Sequence, residues 1–183
     1  ALLAPLWGAT VEGGNKADTA AYVRRRISDA ADRLFPRTLI QALNAAVAEQ
    51  KQLAQPHPGR VLRFAALRKG IERASEQRVK DLIAEYKELG PTLVALKGMT
   101  ATGSPEAFKQ YLQAAIRKQK RGKKTLAGAL QAGPGGWDKV IERLKVVGVL
   151  GAYERARTAE GDRKLAVSLL YRPGLDIKSP GLK

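Results

Sequence analysis

The sequence predicts a mainly α-helical protein, in which a helical bundle is followed by a winged helix-turn-helix domain with a β-hairpin wing. Three observations predict this class. Alanine and leucine are abundant while aromatic residues make up only 5% of the chain, which favours helices packed through aliphatic side chains. Apolar residues recur at three and four positions through most of the chain. After Gly148 the period changes to two, which is typical of strands.

Helical patterns occupy most of the first hundred residues. The first predicted helix is capped by Asp18 or Thr19 and runs to about Leu34. Pro36 begins the second helix, because the first turn of a helix needs no amide donor. A third helical zone covers residues 61–89. We expect it to divide at Ser75, where a new capping motif stands. One more short helix is predicted over 91–97.

The second half begins with Ser104, which is predicted to cap a helix with proline at its first position. Two further helices are predicted over 124–130 and 137–147. Alternation then predicts two strands over 149–156 and 163–171, joined by a polar turn. Three helices followed by such a hairpin is the order of a winged helix-turn-helix domain.

A polar, loop-like segment, Met99–Gly103, marks the predicted domain boundary. The expected division is a helical bundle over 1–103, a winged-helix domain over 104–175 and a tail over 176–183. The chain does not begin with Met, so we expect a fragment of a longer protein or a processed chain.

Charge is the outlier of the composition. The chain holds 33 Lys and Arg against 17 Asp and Glu, a net charge of +16, which favours association with polyanions. It has no cysteine, which excludes disulfides and thiolate metal sites, and the single His57 lies in a loop without partners for a metal site. No apolar run reaches the roughly 18 residues that span a bilayer, so we expect a cytoplasmic protein without a membrane partner.

The densest positive charge lies in the stretch 117–124, where six of eight residues are cationic and none is acidic. Such a stretch is either a solvated linker or a contact surface for nucleic acid. In a winged-helix geometry the helix 137–147 would lie in the major groove and the hairpin would flank it. The predicted nucleic-acid-binding residues are Arg117, Lys118, Lys120, Arg121, Lys123, Lys124, Lys139, Arg143, Lys145, Arg155, Arg157, Arg163 and Lys164.

A second pattern is an arginine in the first turn of an aliphatic helix, directly after proline, in Leu34-Phe35-Pro36-Arg37-Thr38. This resembles the lid of AAA-type and STAND-like bacterial P-loop ATPases, where an arginine at the start of a lid helix reaches the γ-phosphate. Segments 74–86 and 146–173 are similar to the helical and winged-helix regions that follow such lids. The resemblance implies that Arg37 senses nucleotide, and that ATP and Mg²⁺ are cofactors of the complete protein rather than of this chain.

The nucleotide-binding core of that family is missing from the chain. Gly122-Lys123-Lys124-Thr125 mimics the end of a phosphate-binding loop, but Arg117 stands where the leading glycine is required. No serine has a histidine partner, and nothing pairs Glu85 and Glu88 with a pocket. We therefore expect no catalytic residue, no metal site and no enzymatic activity of the chain by itself.

Three functions follow. The first is a nucleic-acid-binding module of a larger ATPase, with duplex DNA favoured over RNA and mostly backbone contacts, because the helix 137–147 holds no Asn or Gln to read adenine. The second is a regulatory module of a STAND-like ATPase whose winged helix packs on the upstream core or on a partner protein. The third is a free-standing transcription regulator. Self-association into a homo-oligomer stays open.

Overall fold

The computed structural model describes residues 4–11, 18–53, 61–121, 136–153 and 164–177. These form seven α-helices, one 3₁₀ turn and three short strands: α1 (Ala4–Trp7), α2 (Thr19–Ile27), α3 (Pro36–Gln52), α4 (Phe64–Glu85), the 3₁₀ turn Lys87–Leu89, α5 (Gly90–Ala95), β1 (Thr102–Gly103), α6 (Pro105–Arg121), α7 (Gly136–Val146), β2 (Leu150–Ala152) and β3 (Leu165–Val167). The mainly helical class is therefore confirmed. None of the described helices is long and apolar enough to cross a membrane.

The three strands form one antiparallel sheet in the order β1-β3-β2. Ala166 of the central strand lies opposite Thr102 on one side and Gly151 on the other. The prediction of a loop over Met99–Gly103 was wrong at its end, since Thr102–Gly103 is the edge strand β1. The adjoining Ala101 is fully buried, which holds this segment against the sheet.

Helices α3 and α4 pack closely along their length. The contact depends on Gly70, because a Cβ there would lie 2.2 Å from the carbonyl oxygen of Ala42. Around it lies an amino-terminal core of Trp7, Val23, Ile27, Ala42, Leu67, Ile71 and Ala74. Helix α2 also contacts α4 through this core, so α2, α3 and α4 form one packed group of helices.

A larger core occupies the carboxy-terminal part. It joins Leu89 and Leu93 before β1 to Phe108 of α6, Leu144 of α7 and Val167 of β3. Buried residues before and after position 103 thus belong to the same hydrophobic core. Position 103 is also the last residue of strand β1. The division at residue 103 stays a prediction, but no gap in the hydrophobic core coincides with it.

Helix α2 is shorter than predicted. Asp18 caps its start through a side-chain hydrogen bond from Ala21 N, as expected, but the helix ends at Ile27 rather than Leu34. Residues 28–34 form a loop instead, closed by an antiparallel bridge between Ser28 and Leu34. The carboxylate of Asp29 binds the backbone amides within this loop, which replaces the helical hydrogen bonds. We call residues 28–34 the seam loop.

The predicted division of the third helical zone at Ser75 was wrong. Helix α4 runs unbroken from Phe64 to Glu85, and Ser75 is a buried residue in its middle. Its hydroxyl donates to Leu170 O and accepts from Gly174 N, so it contacts another segment instead of capping a helix.

Strand β3 ends earlier than predicted, because residues 169–176 form turns that contact α4 through Ser75. Ile177, assigned to the tail, is buried in the carboxy-terminal core. The capping role of Ser104 is confirmed by its bond from Ala107 N at 3.1 Å. The predicted helix over 124–130, the turn of the hairpin, His57 and residues 178–183 lie outside the described residues.

Candidate nucleic-acid interface

Helix α7 is held by its apolar face, with Val140, Ile141 and Leu144 buried. Lys139 lies on the opposite face of the helix and is exposed. It forms no ion pair with any other residue that the structure describes. Lys139 is therefore free to contact an external anion.

The other two predicted cations of α7 have acidic partners. Arg143 Nη2 lies 3.4 Å from Glu88 Oε1, and its guanidinium stacks 5.2 Å from the ring centre of Tyr86. Lys145 Nζ lies 2.7 Å from Glu142 Oε1. These partly exposed pairs are weak, but each side chain must leave its partner to reach a phosphate. Lys139 and Arg143 lie one turn apart, but only Lys139 can contact a phosphate without first leaving an acidic partner.

The end of α6 presents further positive charge. Phe108, Leu112 and Ile116 are buried at intervals of four residues and fix which face of the helix meets the core. Arg117 and Lys118 come directly after them and are exposed. The helix continues through Arg121, so the first part of the basic stretch is helical rather than a linker. The side chains of Lys120 and Arg121, and both Lys123 and Lys124, lie outside the described part.

The base of the hairpin carries one more described cation. Tyr153 N donates to Lys164 O at 2.9 Å, which continues the pairing of β2 and β3 by one residue. Lys164 is exposed at this position. Arg155, Arg157 and Arg163, predicted for the wing, are outside the residues that the structure describes.

Sequence reasoning missed the arginines of α2. Arg25 is exposed, and the guanidinium of Arg26 lies 3.6 Å above the ring of Tyr22. The end of α2 is attached to the sheet, because Ser168 Oγ donates to Ser28 O at 3.0 Å across 140 residues of sequence. The run of three arginines is visible in the sequence, but this long-range attachment is not.

Arg37 lies at a separate cleft of about 340 Å³ between the start of α3 and the end of α4. Arg33 and Arg78 line the same cleft, together with the carboxylates of Asp81 and Glu85. Arg78 is bound on both sides, to Glu85 at 2.9 Å and over the ring of Phe35 at 4.4 Å. Arg37 itself is exposed and has no ion pair among the described residues.

Comparison with protein-family models, with curated proteins and with solved structures finds no match.

The remaining candidates have structural partners. Ser75 is bonded to Leu170 and Gly174, Glu85 to Arg78, and Glu88 to Arg143. Gly122-Lys123-Lys124-Thr125 lies outside the described residues. The described residues thus offer for binding a set of exposed cations on α6, α7 and the hairpin, and a cleft with an exposed arginine.

Proposed function

We propose that the chain is a nucleic-acid-binding module of a larger P-loop ATPase and contacts mainly the backbone of duplex DNA. The observation that carries this is a group of exposed cations on α6, α7 and the base of the hairpin that form no ion pair with another described residue: Arg117, Lys118, Lys139 and Lys164. They lie on consecutive elements of one sheet-and-helix unit. Phosphate contacts of this kind give affinity without sequence preference.

The element order supports a winged-helix arrangement for this unit. Helices α5, α6 and α7 precede the hairpin β2–β3, and β1 adds a third strand at the far side of β3. The unit in this proposal therefore begins before residue 104, the predicted start of the winged-helix domain, and includes α5 in place of the predicted helix over 124–130. Lys109 of α6 bridges to Asp138 at the start of α7, at 2.5 Å, so the two helices are also joined electrostatically. On this interpretation α7 approaches the groove with Lys139 outward, and the cations of α6 and the hairpin contact the flanking phosphates.

Duplex binding measured by fluorescence anisotropy tests this function. Changing Lys118, Lys120, Arg121 and Lys123 together to Ala is expected to weaken binding while the melting temperature stays the same. Unchanged affinity at low salt contradicts the proposal.

A second candidate is a regulatory role, favoured by the attachment of the carboxy-terminal unit to the helices that carry Arg37. Ala30 N donates to Gly148 O at 2.8 Å and Arg33 Nη2 donates to Val146 O at 3.1 Å, so the seam loop is bonded to the corner between α7 and β2. In this role Arg37 contacts the nucleotide of an upstream core. Replacing Arg37 by Ala in the complete protein is then expected to abolish ATP turnover, and intact turnover would refute it.

A further inference from the structure

Helix α3 carries apolar side chains on two opposite faces, and only one of these faces is covered. Ala42 and Ala46 are buried against α4, where they lie next to Gly70. Ile40 and Val47 lie on the other side of α3, because successive helical residues are about 100° apart around the axis. Their side chains are 59% and 40% exposed. Apolar residues on both sides of a helix are typical of a helix that is covered on both sides.

The exposed face of α3 has the residue spacing of a helix–helix contact. Arg37, Ile40, Asn44, Val47 and Lys51 follow one another at intervals of three, four, three and four residues, and all five are exposed. We call them the α3 stripe. From residue 38 to residue 48 the helix has no charged side chain, although 27% of the chain is charged. The stripe therefore has an uncharged centre, two β-branched side chains on either side of an amide, and a cation at each end.

The two end cations decide which partner fits the α3 stripe. Arg37 and Lys51 form no ion pair with another described residue, and about 21 Å of helix separates them. If α3 of a second copy packed here in parallel, each cation would face its own equivalent. In the antiparallel pairing centred on Asn44, Arg37 would face Lys51. Both pairings oppose like charges, so the stripe favours a different helix that carries acidic residues at the two ends.

The stretches of this chain outside the described residues do not provide such a helix. The stretch 154–163 holds several acidic residues but no apolar side chain larger than alanine. The stretch 122–135 holds no acidic residue. An anionic membrane surface is a poorer match than a helix, because Asn44 stands in the middle of the stripe and no aromatic side chain belongs to it.

We propose that the α3 stripe is a docking site for an amphipathic helix of a partner protein. Aliphatic side chains of that helix pack on Ile40 and Val47, and a polar side chain faces Asn44. Acidic side chains at its two ends pair with Arg37 and Lys51. This site is independent of the proposed nucleic-acid-binding function, whose described cations lie on α6, α7 and the hairpin.

The test measures binding of two fluorescent helical peptides to the whole chain by anisotropy. Both peptides have the length and spacing of the α3 stripe, with leucine at the two apolar positions and asparagine between them. One has glutamate at both ends and the other has lysine. The glutamate peptide is expected to bind saturably, and the lysine peptide about tenfold more weakly or not at all.

Variants of exposed residues separate this site from general attraction to a basic protein. Ile40→Asp is expected to abolish binding of the glutamate peptide, whereas Val94→Asp, at a similarly exposed valine of α5, is expected to leave it unchanged. Lys51→Glu is expected to weaken binding about threefold or more. Lys80→Glu makes the same charge change on α4 and is expected to have little effect.

Three kinds of result overturn the proposal. The first is equal binding of the two peptides, or no binding of either. The second is an equal loss in Lys51→Glu and Lys80→Glu, or no loss in Ile40→Asp. The third is a different occupant: a dimer in sedimentation, or binding to vesicles of phosphatidylserine and phosphatidylcholine, that Ile40→Asp removes.

Discussion

The buried carboxylate of Asp29 accepts a hydrogen bond from Arg33 Nε at 2.6 Å. Its other oxygen accepts from the backbone amides of Ala31 and Arg33. Gly148 packs directly against this pair, since a Cβ there would lie 2.1 Å from Asp29 Oδ2. The seam loop therefore packs closely against the corner between α7 and β2.

Replacing Gly148 with Ala should destabilise the protein by about 2–4 kcal/mol, because the new methyl group meets Asp29 and the residue has a φ of +77°. Urea unfolding measures the loss. Gly98→Ala is the matched control, because its φ is +76° while its nearest contact is 3.8 Å away. It should cost only the strain of the left-handed conformation, about 1–2 kcal/mol. Equal losses in the two variants would show that the Asp29 contact is unimportant.

Replacing Ser75 with Ala should cost about 1–3 kcal/mol. It leaves Leu170 O and Gly174 N without their partner in a buried place. Chemical denaturation checks this, with the exposed neighbour Glu76→Ala as control, expected within about 0.5 kcal/mol of wild type. A Ser75→Ala protein as stable as the control would mean that α4 does not hold the 168–177 segment through this hydroxyl.

Lys139 and Arg143, one turn apart on α7, should behave differently when each is changed to Ala. Lys139→Ala should weaken duplex binding and leave stability unchanged. Arg143→Ala should lower the free energy of unfolding by about 0.5–1 kcal/mol, because it removes the ion pair with Glu88 and the stacking on Tyr86. Its effect on duplex binding should be smaller than that of Lys139→Ala. Anisotropy and thermal unfolding measure the two effects. The reverse ranking of the binding losses would mean that α7 presents Arg143, not Lys139, to the DNA.

Alkaline pH should destabilise the protein through Tyr171. Burial raises the pKa of Tyr171 above its ordinary value of 10.0. The unfolded chain then loses this proton at lower pH than the folded chain does. The tyrosine contribution is constant below about pH 9, and stability falls as pH rises through 10, by at most about 1.4 kcal/mol per pH unit. Burial also raises the pKa of Tyr22, which adds to the effect.

The Tyr171→Phe variant isolates this contribution. Its stability should fall less steeply than that of wild type between pH 9 and 11, as measured by urea unfolding at fixed ionic strength. Parallel pH profiles for the two proteins would refute the assignment to Tyr171.

The sequence predicts those elements whose signals are local. Asp18, Pro36 and Ser104 begin helices as expected, since a cap or a first-turn proline acts within a few residues. The apolar spacing of α6 and α7 also identifies their buried faces.

Long-range contacts explain what sequence reasoning missed. Ser75 looks like a cap but bonds with residues almost a hundred positions away, and Asp29 ends α2 by organising a loop that fits Gly148. Strand β1 has two residues, too few for alternation to be recognised. In the candidate interface, charge identified Lys139 and Lys164, whereas the pairing of Arg143 with Glu88 and the attachment of the end of α2 to Ser168 depend on tertiary packing.

The most direct test of the central claim, that exposed cations on this scaffold contact a phosphate backbone, is the affinity of the wild-type chain for duplex DNA between 50 and 200 mM NaCl, concentrations that bracket roughly the physiological range. If six of the cations predicted to bind nucleic acid contact phosphates, the log–log slope is roughly −5 and nearly independent of the duplex sequence. Absence of binding at the lowest salt concentration, or an affinity that does not change with salt, would contradict the account.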